Sequence, residues 1–233
     1  MGELWQANHE AFRLLVSGNP ELWSIIGISF SVSVRAILIA APVALVLAFV
    51  LARLRFPGRR LVVATFHTLM ALPAVVVGLT VYMLLARHGL LGDLRWLFSQ
   101  KAMVVGQIVL CFPLLVSISH ATIREADQRV WETALTLGAT RWHAMLTLMY
   151  EVRYGLMAAL IAAFGRIIAE VGSSMMVGGN IANHTRNIPT AIALETSKGE
   201  FAQGIALGFV LLLLALALNF SLSLVQSRSE HAA

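Results

Sequence analysis

The chain has 233 residues, 58% of them hydrophobic and only 12% charged, with a net charge of +5. Soluble domains carry about 25% charge, so the deficit excludes an ordinary soluble globule and points to a bilayer as solvent. Lys and Arg form no stripe with interleaved aromatics, which excludes a nucleic-acid surface, and the lone Cys111 makes neither an internal disulfide nor a metal site.

Residues 1–22 mix Leu4, Trp5, Phe12, Leu14, Leu15 and Val16 with Asn8, His9, Glu10 and Arg13. That mixture predicts an amphipathic helix lying on the outer face of the membrane. No basic stretch precedes the first apolar run, so a cleaved signal peptide is not expected. Asn19 and Pro20 suit the cap and first turn of the next helix. Five apolar segments follow, at roughly 24–52, 62–86, 102–122, 155–178 and 203–225. Each can supply the ~20 residues a helical span needs. Pro42 predicts a kink in the first, while Pro73 and Pro113 fall within the second and third. No alternating pattern supports a barrel.

Arg and Lys set the orientation. Arg53, Arg55, Arg59 and Arg60 crowd the first connection. With Arg124, Arg129, Arg141, Arg153 and Arg228 they place nine cations on one side, against six on the other: Arg13, Arg87, Arg95, Lys101, Arg186 and Lys198. The amino terminus is therefore expected outside and the carboxyl terminus in the cytoplasm.

Between the third and fourth spans lies a polar stretch, Glu125 to Arg153, rich in good helix formers. Trp131, Ala134 and Leu135 recur at helical spacing, as do Trp142, Met145 and Met149. Gly138 sits between the two sets, where a turn with positive φ is easiest. The expectation is helix, Gly turn, helix, on the cytoplasmic side. Trp131, Trp142 and Met145 would be anchors for a partner. Ala134 and Ala139 would leave room for a groove wall, and Glu132 would meet a cation. The competing expectation is an amphipathic pair resting on lipid headgroups.

Within the fourth span, Arg166 and Glu170 are four residues apart. Ionisable groups there point into a bundle or a wet cavity, either lining a path or pairing with each other. Gly172, Ser173, Ser174, Gly178, Gly179 and Asn180 form a small-residue run that suits close helix packing, or exposes hydroxyls and amides to an anion. His184, Thr185 and Arg186 follow on the outer side, where they would guide an anion or receive a delivering protein. The histidines show no metal-ligand spacing, and no G-x-x-x-x-G-K-[ST] phosphate loop occurs. Neither an inverted repeat, nor a chain of intramembrane acids, nor a nucleophile with a base supports a secondary transporter or an intramembrane enzyme.

Glu132, Ala134, Gly138 and Ala139 resemble the E-A-A-x-x-x-G signature of the permease subunits of ABC importers, with Thr133 in place of one alanine. The stretch Ala169-Glu170-Val171-Gly172, then Gly178-Gly179-Asn180-Ile181, then Thr185-Arg186 with Thr190-Ala191-Ile192, resembles the permeases for tetrahedral oxyanions. The run from Thr190 to Glu200 is most similar to the tungstate branch, with molybdate and sulfate permeases as neighbours. The resemblance covers residues 24–225.

It implies an all-α integral membrane protein of the MetI-like permease fold. That fold would comprise five transmembrane helices, a short N-terminal amphipathic helix and a cytoplasmic coupling-helix pair. The expected division is an outer segment 1–22, a permease domain 23–226 with its coupling loop at 123–153, and a cytoplasmic tail 227–233. The resemblance further implies a homodimer in the cell (inner) membrane. Two ATPase subunits would bind ATP and Mg on the cytoplasmic side, and an external binding protein would deliver the oxyanion. No cofactor, metal or catalytic residue is expected in this chain. Trp131, Glu132, Ala134, Gly138, Ala139, Arg141 and Trp142 would couple to the ATPase. Arg166, Glu170, Gly172, Ser173, Ser174, Gly178 and Asn180 would lie on the translocation path or the dimer interface.

Overall fold

The structure, a computed structural model, describes Arg13 and residues 17–230, without the side chains of residues 128 and 225–230. Most of the amphipathic segment expected over residues 1–22 lies outside the described residues, as do the last three residues of the expected tail. Among the described residues the chain is helical throughout, with no strand. The helices are α1 (Pro20–Arg53), α2 (Arg59–Leu69), α3 (Ala74–Leu85), α4 (Gln100–Glu125), α5 (Gln128–Thr136), α6 (Arg141–Glu151), α7 (Arg153–Ile168), α8 (Gly172–Gly178), α9 (Ile188–Lys198) and α10 (Phe201–Glu230). A single 3-10 turn, Gly92–Leu94, precedes α4.

The α1 helix starts where Asn19 and Pro20 predict. The Asn19 side chain accepts the N–H groups of Glu21 and Leu22 at 2.9 and 3.4 Å, which satisfies two of the donors a helix start leaves open. It then runs 34 residues, continuous through Pro42. Val32, Ala36, Ala40, Ala44 and Ala48 recur every fourth residue and are at most 2% exposed. This stripe of mostly alanine lets α4 lie close along α1, against Leu110, Cys111 and Leu115. On the opposite face Leu38, Ile39 and Val43 are 57–68% exposed, as expected of a helix with lipid around it.

Among the described residues, only α1, α4 and α10 are single helices long and apolar enough to cross a membrane. The expected second span, 62–86, is broken: α2 and α3 meet at 101°. Pro73 has no N–H to continue the ladder, and residues 70–72 close instead through tight turns onto Phe66, Thr68 and Leu69. The expected fourth span, 155–178, is likewise not one helix. Its first part, α7, bends 71° away from α6. It stops at Ile168, and α8 begins only at Gly172. The five expected spans are thus three unbroken helices, one bent pair, and α7 followed after a break by the short α8.

Long-range polar contacts identify one end of the bundle. Gln100 Nε2 donates to the His184 carbonyl at 2.9 Å, and Arg186 pairs with Glu21 at 3.3 Å. At the other end, Ala48, Phe49, Ile123, Met145, Leu148 and Leu156 form a separate core that holds α5 and α6 against the ends of α1 and α4. The helices α1 and α4 therefore run parallel, and the helix pair sits at the end where both finish. A third cluster joins Leu22, Ile25 and Ile26 to α9 and α10 through Ile188, Ala206 and Leu207.

Candidate functional site

The turn between α5 and α6 is built by local rules. Asp127 caps α5 by accepting the Arg129 N–H at 2.9 Å. The helix ends in a Schellman arrangement: Gly138 N–H donates to the Leu135 carbonyl and Ala139 N–H to the Ala134 carbonyl, both at 3.0 Å. The turn needs φ of +86° at Gly138, a region in which glycine has no steric penalty. Thr140 then caps α6, and its hydroxyl lies 2.7 Å from His143 Nδ1.

Exposure around this turn divides the expected coupling residues. The Trp131 ring packs on Phe49 with centroids 5.4 Å apart, and Met145 is 6% exposed in the same core. Both side chains pack toward the bundle, Met145 within the core and Trp131 partly buried against it. Leu137, Trp142 and Tyr150 instead stand out at 83%, 59% and 68% exposure. Glu132 and Arg141 are also exposed, while Ala134 and Ala139 are half-buried. Leu137 and Tyr150 stand outside the residues that the sequence singles out.

The second candidate region is the break after α7. Glu170 lies beyond the end of α7, not four residues along one helix face. The pair with Arg166 nevertheless forms, at 2.5 Å. Glu170 Oε2 takes the Arg166 guanidinium, and Oε1 accepts the Gly172 N–H at 2.9 Å. One carboxylate therefore neutralises a cation and closes the start of α8. Glu170 is 9% exposed, whereas the Arg166 side chain is 43% exposed.

The small residues of α8 are packed inside the chain's own bundle. Ser173 and Ser174 are each 1% exposed. A Cβ on Gly78 of α3 would come within 2.8 Å of the Ser173 Cα, and one on Gly178 within 3.0 Å of Met103 on α4. Close helix approach accounts for the glycines here, while the Ser173 and Ser174 hydroxyls are buried without hydrogen-bond partners.

The oxyanion-type signature after α8 forms a closed loop. Asn180 adopts φ of +50°. The Thr185 hydroxyl, fully buried, donates to the Gly178 carbonyl at 2.6 Å and accepts the Ile181 N–H at 2.9 Å. Asn187 and Thr190 form a reciprocal capping box at the start of α9. Ser29 of α1 accepts the Ile188 N–H at 2.7 Å. His184 stays exposed beside this loop.

A model of the family described as "Binding-protein-dependent transport system inner membrane component" matches residues 40–232. The chain is 39% identical over 203 residues to a "Probable anion ABC transporter permease protein" of Haloferax volcanii, covering 85% of this chain and 88% of that one. It is 37% identical over 209 residues to the "Tungstate uptake system permease protein TupB" of Peptoclostridium acidaminophilum, covering 90% and 92%. In fold it is similar to a chain of a bacterial alginate ABC transporter solved with a periplasmic protein, with a TM-score of 0.72 at 16% identity over 99% of this chain and 88% of that one.

Proposed function

This chain belongs to the family of binding-protein-dependent transport system inner membrane components, and from that premise we propose that it is the permease of an ABC importer that carries tungstate into the cell. Multiple apolar helices suit a multi-pass inner-membrane protein. Two copies form the path, with the amino terminus outside and the carboxyl terminus in the cytoplasm. Each copy presents its α5–α6 turn to an ATPase subunit. That subunit binds ATP and Mg, and this chain catalyses nothing itself. An external protein delivers the oxyanion. The four arginines between Arg53 and Arg60, at the same end as the helix pair, support this orientation.

One observation carries the reading: Leu137 and Trp142 stand exposed on a rigid Gly turn whose other face is packed onto the bundle. Large apolar side chains held in water are characteristic of a protein interface. Trp131 seats the pair, while Glu132, Ala134, Gly138, Ala139, Arg141 and Trp142 meet the ATPase. Closure of the ATPase subunits shifts that turn, and the shift passes through Phe49 to α1 and through Leu156 to α7. The path then opens alternately to each side, provided the two states differ in docking energy. Arg166, Glu170, Gly172, Ser173, Ser174, Gly178 and Asn180 hold the shape of the helices around that path.

The test is uptake into vesicles that contain this chain, its ATPase and its binding protein. Tungstate should enter only with ATP inside. Uptake without the ATPase would refute the reading. Molybdate or sulfate outcompeting tungstate would reassign the cargo within the same class.

A further inference from the structure

At the end of the bundle that carries the helix pair, a cavity of about 590 Å³ opens between the α1–α2 connection and the last turns of α4. Arg55, Arg59, Arg60 and His67 line it from one segment, and His120 and Arg124 from another. None of these four arginines has a carboxylate within ion-pair distance among the described residues. His120 is 5% exposed, and its Nε2 has no hydrogen-bond partner. The start of α2 faces the same space: Gly58, at φ +83°, is its N-cap and offers no side-chain acceptor to the first-turn amides. An adjoining cavity shares Arg55, Arg59 and Arg124 and adds Arg53, whose Nε and Nη2 are buried without partners. Its acid is Asp127, one oxygen of which is already taken by the Arg129 amide.

Membrane orientation alone explains why arginines lie at this end. It does not explain why two segments about sixty residues apart bring them round one void, nor why a buried imidazole is left unpaired there. Like charges gathered without carboxylates repel each other, and buried polar atoms without partners are costly. An anion with several oxygen acceptors removes both costs. Guanidinium groups and a helix start together suit tetrahedral oxygens. At roughly 30 Å³ per water, the volume holds such an anion with part of its hydration shell.

We propose that this cavity is a binding site for a tetrahedral oxyanion group, supplied either by a free inorganic anion or by the phosphate of an anionic lipid headgroup. The choice of tungstate as one probe rests on the proposed function; the site itself does not. Its test requires neither ATPase nor transport, so its failure is separable from failure of the transport reading.

The experiment uses the purified full chain in nanodiscs of phosphatidylcholine. Tungstate, sulfate and inorganic phosphate are titrated calorimetrically against wild type and against Arg59→Gln/Arg124→Gln. Arg60→Gln, at an exposed position that will not disturb folding, is the second variant. Arg87→Gln/Arg95→Gln, at the opposite end, is the control for net charge. A free-anion site predicts binding that weakens about tenfold or more in the double variant, less in Arg60→Gln, and not in the control. A headgroup site predicts instead that wild type retains phosphatidylglycerol through purification, that the double variant loses it, and that phosphatidylglycerol nanodiscs abolish any anion signal. The proposal is overturned if wild type binds neither probe, or if the opposite-end control weakens binding as much as the cavity variants.

Discussion

The rings of Phe49 and Trp131 meet with centroids 5.4 Å apart and planes inclined at 52°. This contact packs α5 onto the last turns of α1, and with it the turn at Gly138. Tilted aromatic pairs contribute about 0.5–1.5 kcal/mol beyond their buried area. Trp131→Ala is expected to cost about 2–3 kcal/mol of stability and to uncouple ATP hydrolysis from uptake. Trp131→Phe should keep most of both. The measurement is the ratio of tungstate transported to ATP consumed; an unchanged ratio in Trp131→Ala would contradict the role of this contact.

Leu137 and Trp142 present the opposite behaviour. They are 83% and 59% exposed, so their removal takes little from the fold of the isolated chain. Leu137→Glu and Trp142→Ala should leave thermal unfolding within about 0.5 kcal/mol of wild type. Each should nevertheless prevent the ATPase from copurifying with the permease. If the ATPase remains bound to both variants, the docking face lies elsewhere.

Gly138 is constrained by its backbone rather than by its neighbours. A Cβ there would meet nothing within 4 Å, yet φ is +86°. Gly138→Ala is expected to cost about 1 kcal/mol through that conformation alone, and a β-branched Gly138→Val more. Chemical denaturation of the two variants checks the order. Equal stability of Val and Gly at this position would mean the turn is not held in its left-handed form.

Local signals were legible in the sequence and non-local ones were not. Asn19, Pro20 and Gly138 act within a few residues, and each does in the structure what its chemistry dictates. The apolar segments declared the helices because lipid imposes length and hydrophobicity directly. Proline is the counterexample: α1 continues through Pro42, whereas the chain turns at Pro73, and the residue is the same. What surrounds each proline in the folded chain is a tertiary matter that its local sequence does not show. Trp131 and Trp142 likewise read as equivalent anchors, yet Phe49, distant in sequence, draws one inward. The convergence of Arg59 and Arg124 on one cavity was hidden for the same reason, and in the sequence they registered only as orientation charges.

The Glu170 carboxylate has two separable duties, so two substitutions can divide them. Glu170→Gln keeps an oxygen for the Gly172 N–H but gives up the charge opposite Arg166. Glu170→Ala loses both. The expected order of stability is wild type, then Gln about 1 kcal/mol lower, then Ala about 2–3 kcal/mol lower. Arg166→Lys should be tolerated better than Arg166→Ala, because the second leaves a nearly buried carboxylate without its cation. Thermal unfolding in a common lipid environment ranks all four, and Gln equal to Ala would show that the cap contributes nothing.

Thr185 offers the sharpest separation of hydroxyl from bulk. Its side chain is fully buried and bridges the Gly178 carbonyl and the Ile181 N–H, the two ends of the turn after α8. Thr185→Val keeps the shape and removes both bonds, leaving the buried Gly178 carbonyl and the part-buried Ile181 N–H without this partner. The expected loss is about 2–3 kcal/mol. Thr185→Ser keeps both bonds and gives up one methyl group, at a cost of about 1 kcal/mol. Valine must therefore be the more damaging change although it is the closer match in volume. Amide exchange at Ile181 should rise in Thr185→Val and stay near wild type in Thr185→Ser. If serine proves the worse of the two, packing of the methyl group, and not the hydroxyl bridge, holds this loop closed.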